Sequence, residues 1–208
     1  MKLYSTVLGA ASAEQTIEKS KFICYVAPAS SKEEADSFIQ EIRKKHRDAT
    51  HNVPAMVIGD KMQVQWASDD GEPQGTSGAP IVQMLVNMGI TNVVVVVTRY
   101  FGGIKLGPGG LVRAYTTSAQ LGIEKAGVGD VEEYLVSEYE IDYTYLSKIQ
   151  NISGNLFDID SISYAEKVNL EISFLPENKD EVDSALRDIT SATGIYKKTS
   201  KKLLTKRR

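Results

Sequence analysis

The 208-residue chain has one cysteine, two histidines, one tryptophan and a formal charge of only −3. The lone cysteine, Cys24, can close no intrachain disulfide and supports no cysteine cluster for zinc. It lies in "KFICYVA", which reads as a strand, where a thiol acts as a small apolar core group. No apolar run reaches membrane length: "VVVVV" at 93–97 is far shorter than the roughly 20 residues a span needs. The N-terminus lacks a basic stretch followed by an apolar one, so no signal peptide is visible and a cytoplasmic protein is expected. The small net charge excludes a globally basic nucleic-acid binder, so such a role would need a local patch. His46 and His51, in "HRDATHN", lack the intervening Glu of the zinc-protease helix and read as a surface or loop pair. No serine sits in G-x-S-x-G, so the hydrolase nucleophile elbow is missing. No metal site and no cofactor are expected.

Hydrophobic patterning and turn residues supply an outline. Residues 6–17 and 20–29 carry strand-forming side chains, joined in a hairpin near Glu18-Lys19-Ser20-Lys21. "SKEEADSFIQEIRKKH" (31–46) predicts a helix with a Ser31–Glu34 capping box and an Ala35, Phe38, Ile39, Ile42 stripe. Val53–Ile58 and Met62–Ala67 read as strands around Gly59-Asp60. A helix follows the loop at 68–80, with Pro80 near its first turn and Val82, Leu85 and Val86 as core positions. Asn92–Thr98 predicts a strand covered on both faces, because its valines do not alternate with polar residues. Leu111, Ala114, Tyr115, Ser118 and Gly122 mark one face of a helix over about 109–126, closed by Gly127. "GVGD" (127–130) suggests a boundary. Beyond it the order is strand (Tyr134–Ile141), helix (Tyr145–Leu156), strand (158–164), strand (167–175), helix (178–190) and strand (about 194–200), the βαββαβ of a ferredoxin-like plait. The expected domains are 1–129 and 130–208. The first carries 13 basic and 12 acidic residues (net +1), the second 11 and 15 (net −4). The second ends in a basic tail, 197–208, with seven cations and no acid.

Two loops carry candidate chemistry. "TRYFGGIKLGPGGLVRAY" (98–115) places Gly102, Gly103, Gly107, Gly109 and Gly110 between the valine strand and a helix, among Arg99, Lys105 and Arg113. Glycines let a ligand approach the backbone, and a helix N-terminus offers N–H donors and a positive dipole end. A phosphate suits that arrangement. The loop is neither a Walker A motif nor G-x-G-x-x-G, so a dinucleotide site has little support. A tight strand–helix connection with solvated cations accounts for the same residues. Tyr100 and Phe101 are available for base stacking or pack beneath the loop. In "SDDGEPQGTSGAP" (68–80), Asp69, Asp70 and Glu72 are weak catalytic or Mg²⁺-binding candidates. An Asp-Gly turn with a polar cap is the more ordinary use of such residues.

These loops in this order, with "EKSKFI" (18–23) and "HRDATHNVPA" (46–55), resemble the IMPACT family, whose bacterial members are called YigZ-type. The resemblance covers the whole chain. It implies an α+β protein: a ribosomal-protein-like two-layer α/β sandwich with a left-handed βαβ crossover, then a ferredoxin-like plait resembling the last domain of elongation factor G. Eukaryotic relatives carry a further N-terminal domain and restrain a translation-inhibiting stress response. For a bacterial member it implies regulation of translation through RNA, the ribosome or a translation-associated protein, with no membrane partner. On the family's motif positions, Lys19, Lys21, His46, His51, Gly75 and Thr76 become supporting residues for an anion site built from Arg99, Tyr100, Phe101, Lys105, Arg113 and the loop glycines. Two other classes stand beside this one. One is a Mg-dependent enzyme acting on a phosphorylated small molecule, through Asp69, Asp70 and Glu72. The other is a protein-interaction scaffold.

Overall fold

The computed structural model describes residues 2–207. In chain order the elements are β1 (Lys2–Val7), β2 (Ala11–Ile17), β3 (Ser20–Pro28), α1 (Lys32–Lys45), β4 (His51–Ile58), β5 (Val64–Ala67), α2 (Gly78–Asn87), β6 (Val93–Tyr100) and α3 (Gly107–Ala126). Then follow β7 (Val128–Ile141), α4 (Tyr143–Ile152), β8 (Asp158–Tyr164), β9 (Val168–Phe174), α5 (Lys179–Ile189) and β10 (Ile195–Arg207). The chain divides into two compact units, one of residues 3–131 with 205–207, the other of 132–204 with residue 2. The division falls inside β7, since the "GVGD" stretch is the start of that strand and not a linker. The class is α+β, as the sequence implies. No helix among the described residues is long and apolar enough to cross a membrane.

In the first unit the sheet order is β2–β3–β6–β4–β5, every neighbouring pair antiparallel. The valine strand is therefore central. Val93, Val95 and Val97 pack with Phe22, Leu85, Leu111 and Tyr115 on the face that α2 and α3 cover. Val94 and Val96 pack with Ala35, Ile39 and Ile42 of α1 on the other. A run of valines without alternation requires that double cover, and each fully buried valine contributes about 1.5–3 kcal/mol. Since β3 and β4 are both antiparallel to β6, they run parallel to each other, and α1 is their crossover. Helix α1 starts as its capping box predicts: Ser31 Oγ accepts from Glu34 N at 3.2 Å. Glu34 reaches back one residue further than usual, to Ser30 N at 2.7 Å.

Three local expectations shift. The strand expected over 6–17 is two strands, broken at Leu8–Ala10, and Ser5 of β1 bridges Ile90 instead of continuing the hairpin. On α2 the fully buried positions are Ile81 and Leu85, with Val82 and Val86 at the margin of the core. On α3 the expected face is buried, extended by Ala119 and Ile123, and Pro108 lies in its first turn.

In the second unit β10–β7–β9–β8 is the strand order, which is the ferredoxin-like one for a βαββαβ chain. Its core gathers Ile141, Ile149, Leu170, Ile172, Phe174, Val182 and Leu186. The basic tail is corrected here. Residues 195–207 form β10, and its lysines are paired: Lys197 with Glu140, Lys198 with Glu138, Lys201 with Glu133 and Lys202 with Glu171. A strand with little apolar content is held by backbone pairing and by the acidic side chains beside it. Arg208, the last cation of that tail, lies outside the described residues.

Gly122 sets how closely α3 approaches the sheet. A Cβ there would overlap Cys24 Sγ, a fully buried atom whose thiol pKa burial pushes up to about 12. We expect Gly122→Ala to destabilise the chain by about 1–3 kcal/mol in urea unfolding. Adding Cys24→Ala should recover part of that loss. An additive double mutant would show that the two groups do not limit the packing.

Candidate functional site

The candidate site forms where β3, β4 and β6 end together. Register places Arg99 of β6 between Phe22 of β3 and His51 of β4, with Tyr100 beside Lys21. The β2–β3 hairpin turns through Glu18 (φ 46°) and Lys19 (φ 63°), both in the left-handed region that a two-residue hairpin turn demands. That turn meets the glycine loop. A Cβ on residue 102 would overlap the Lys19 carbonyl, and Gly102 N donates to Ser20 Oγ at 3.1 Å.

Arg99 does not project into solvent as the sequence reading expects. It is 4% exposed, and its Nη1 donates to Glu72 Oε1 at 2.7 Å. Its Nη2 reaches Ser20 Oγ at 3.3 Å, while Nε is buried without a partner among the described residues. The guanidinium lies over Phe22 at 5.4 Å and Phe101 at 5.3 Å. Glu72 Oε1 also accepts from Tyr115 Oη of α3 at 2.7 Å, with His51 Nε2 3.7 Å away. Burial, then the bond to Glu72, pushes the Tyr115 hydroxyl far above its ordinary range. The acidic loop and the glycine loop thus meet through a buried ion pair, each contributing one charge.

The remaining acidic groups also hold the backbone. Asp69 Oδ1 accepts from Ser77 N, Ser77 Oγ and Gly78 N at 3.1, 2.6 and 3.0 Å, capping α2, and Oδ2 accepts from Gly75 N at 2.8 Å. Burial alone would raise this carboxyl, but the hydrogen bonds from Ser77, Gly75 and Gly78 hold it below the usual aspartate value. Asp70 accepts from Asn52 N at 2.6 Å and Arg43 Nη2 at 3.1 Å. Its carbonyl accepts from His51 Nδ1 at 2.8 Å. Thr76 is buried with its hydroxyl on the Pro73 carbonyl at 2.7 Å. Among the described residues no three His, Cys, Asp or Glu side chains converge as a metal site needs.

Tyr100 is engaged too. Its hydroxyl donates to Asp48 Oδ1 at 3.2 Å and meets His46 Nδ1 at 2.9 Å, while His46 Nε2 meets Tyr25 Oη at 2.7 Å. One proton order satisfies all three bonds: Tyr25 donates to Nε2, and Nδ1–H donates to Tyr100. Burial, then the Lys45 charge, lowers the His46 pKa against the opposing pull of Asp48, which favours that neutral imidazole. His46 and His51 are thus structural members of the site and not a surface pair.

What remains outside is smaller than the sequence list. Lys19, Lys105 and Arg113 are exposed, with no side-chain partner among the described residues, and Lys21 pairs with Glu14 at 2.8 Å. Phe101 is 46% exposed. Helix α3 opens without a side-chain cap and without an acid in its first turn. Gly103, Gly107 and Gly109 border open space, whereas a Cβ on residue 110 would crowd Leu106. These groups can attract an anion to amide donors and offer a ring face beside it. Ser20, Asp48, Thr50, Asn52 and Tyr115 carry little signal in the sequence. Tyr115 has one signal: a hydroxyl on an otherwise small and apolar helix face needs a buried partner.

The family model for the Impact N-terminal domain matches residues 18–123, and a domain of unknown function, DUF1949, matches residues 140–193. IMPACT family member YvyE of Bacillus subtilis (strain 168) is 45% identical over 169 residues, covering 81% of this chain and 78% of that protein. IMPACT family member YigZ of Escherichia coli (strain K12) is 45% identical over 103 residues, covering 49% of this chain and 50% of that one. A crystal structure described as that of a hypothetical protein superposes with a TM-score of 0.60 at 29% identity, over 94% of this chain and 97% of the other.

Removing one member of a buried pair strands the other charge, which costs about 3–5 kcal/mol. Glu72→Ala should lose that much in urea unfolding followed by Trp66 fluorescence. The pair replacement Glu72→Leu with Arg99→Met should lose clearly less. Equal losses in the two variants would contradict the buried-pair assignment.

Proposed function

This chain belongs to the IMPACT family, and from that membership we propose that it acts in the control of translation by holding RNA at its glycine loop. Such a role places it in the cytoplasm, at the ribosome or beside a translation factor. The observation that carries the reading is the uncapped N-terminus of α3, flanked by the partnerless cations Lys105 and Arg113 and by Lys19 across the loop. Amide donors, a helix dipole and two or three cations together form a phosphate cradle. Phe101 adds an exposed ring where a base would lie.

Arg99 has a different part from the one its position in the motif suggests. Held by Glu72 and Ser20, it anchors the loop root and gives the site a fixed shape. Tyr100 does the same through His46 and Asp48. The contact groups of the proposal are therefore Lys19, Phe101, Lys105, Arg113 and the amides of residues 107–110. Magnesium-dependent chemistry on Asp69, Asp70 and Glu72 draws no support from their geometry, because their oxygens already accept hydrogen bonds from the protein.

The test is fluorescence anisotropy of labelled oligouridylate with the full chain across a salt series. Each single-strand phosphate neutralised contributes roughly −0.7 to the slope of log K against log salt. Lys105→Glu with Arg113→Glu should weaken binding about tenfold or more and flatten the slope by roughly 1.4. Binding that ignores salt, or a charge-reversed variant that binds like the parent, would overturn the reading.

A further inference from the structure

The glycine loop is hydrogen-bonded to a second cationic segment, the end of α1 and the turn after it. Phe101 N donates to Thr50 Oγ1 at 3.0 Å, and Thr50 N donates to the Arg99 carbonyl at 2.9 Å. Ala49 N donates to the His46 carbonyl at 3.2 Å, and His46 Nδ1 meets Tyr100 Oη at 2.9 Å. Residues 46–50 are therefore stitched to residues 99–101 by three of these bonds, the Ala49 bond closing the turn itself. They carry Arg47, which is exposed and has no side-chain partner among the described residues. Lys45 lies beside them, its Nζ 4.7 Å from the centre of the Tyr25 ring that bonds His46.

The acids on this stretch do not cancel those cations. Asp70 is paired with Arg43, while Asp48, which accepts from Tyr100, keeps its charge, so it offsets one of the five cations. Glu14 holds Lys21, which leaves the exposed Glu18 next to Lys19. By contrast Lys44 borders a groove shared with Asp36 and Glu41 and belongs to another face of α1. Five exposed cations, Arg113, Lys105, Lys19, Arg47 and Lys45, against the two acids Asp48 and Glu18, thus make a mainly cationic line along the hydrogen-bonded segments, with the exposed ring of Phe101 among them.

We infer that this line is one continuous track for several consecutive nucleotides of single-stranded RNA, entered at the glycine loop and leaving over the end of α1. This rests on the RNA reading of the glycine loop and names the form of RNA that fits it. A single phosphate would use the amides at α3 alone and would leave Lys45 and Arg47 without a part. A duplex hides its base faces, so it cannot use Phe101, whereas an unpaired base can stack there. The neutral His46, fixed between Tyr25 and Tyr100, holds the two halves of the track in one position.

The experiment compares a trinucleotide and a decanucleotide of uridylate, a decameric duplex RNA and a polyphosphate of ten units, each titrated against the full chain. Lys45→Glu with Arg47→Glu replaces exposed side chains, and unchanged circular dichroism verifies its fold. The variant should weaken decanucleotide binding about tenfold and flatten its salt slope by roughly 1.4, with trinucleotide binding kept. Phe101→Ala should weaken the decanucleotide and leave polyphosphate unchanged. If Lys105→Glu with Arg113→Glu weakens binding and the Lys45, Arg47 variant does not, the track is overturned while the glycine-loop site stands. A duplex that binds as tightly as the single strand also overturns it. No binding of any of these anions would overturn the glycine-loop reading itself.

Discussion

The Arg99–Glu72 pair is the constraint from which the rest of the N-terminal unit follows. Two charges at 4% and 9% exposure would be expensive to desolvate alone. They are tolerable because Tyr115 and Ser20 add hydrogen bonds to them, leaving only Arg99 Nε without a partner among the described residues. Four segments must therefore converge: the end of β6, the 68–77 loop, the body of α3 and the β2–β3 hairpin. An apolar cluster of the same volume would give comparable stability with less demand on geometry. The pair instead selects one arrangement of the two motif loops.

That arrangement separates anchoring groups from contact groups. Arg99, Tyr100, Asp69, Asp70, Glu72, His46 and His51 all bond within the protein; the Asp69 bonds close its own loop, and the others tie one segment to another. Lys19, Phe101, Lys105 and Arg113 stand on the outside of the scaffold they form. A phosphate site needs donors that are already aligned, since ordering them on binding would reduce affinity. The buried network supplies that alignment. The second unit uses its charges differently, closing β10 onto the acidic side chains of its own sheet.

Much of the fold was legible because it rests on local or periodic signals. The unbroken valines predict cover on two faces, Ser31–Glu34 predicts the start of α1, and the small residues of α3 predict a close approach. The ferredoxin-like order followed from element sequence alone. The buried pair was not legible, because Glu72 and Arg99 are 27 residues apart and both look like solvent-facing charges in a polar loop. The same difficulty hid the role of Tyr100, whose partners His46 and Asp48 are more than 50 residues away. β10 was missed beyond its first residues because it has almost no apolar face, and a run of lysines looks like a tail until the glutamates beside it are placed. In each case a tertiary partner decides whether a charge is inside or outside.

The most direct test of the phosphate cradle is an amide-resolved NMR titration of the full chain with inorganic phosphate. The account expects the largest shifts at Gly107, Gly109 and Gly110, with Arg99 side-chain signals unchanged because Glu72 retains them. Shifts confined to β10, or an Arg99 resonance that moves while the α3 amides stay still, would contradict it.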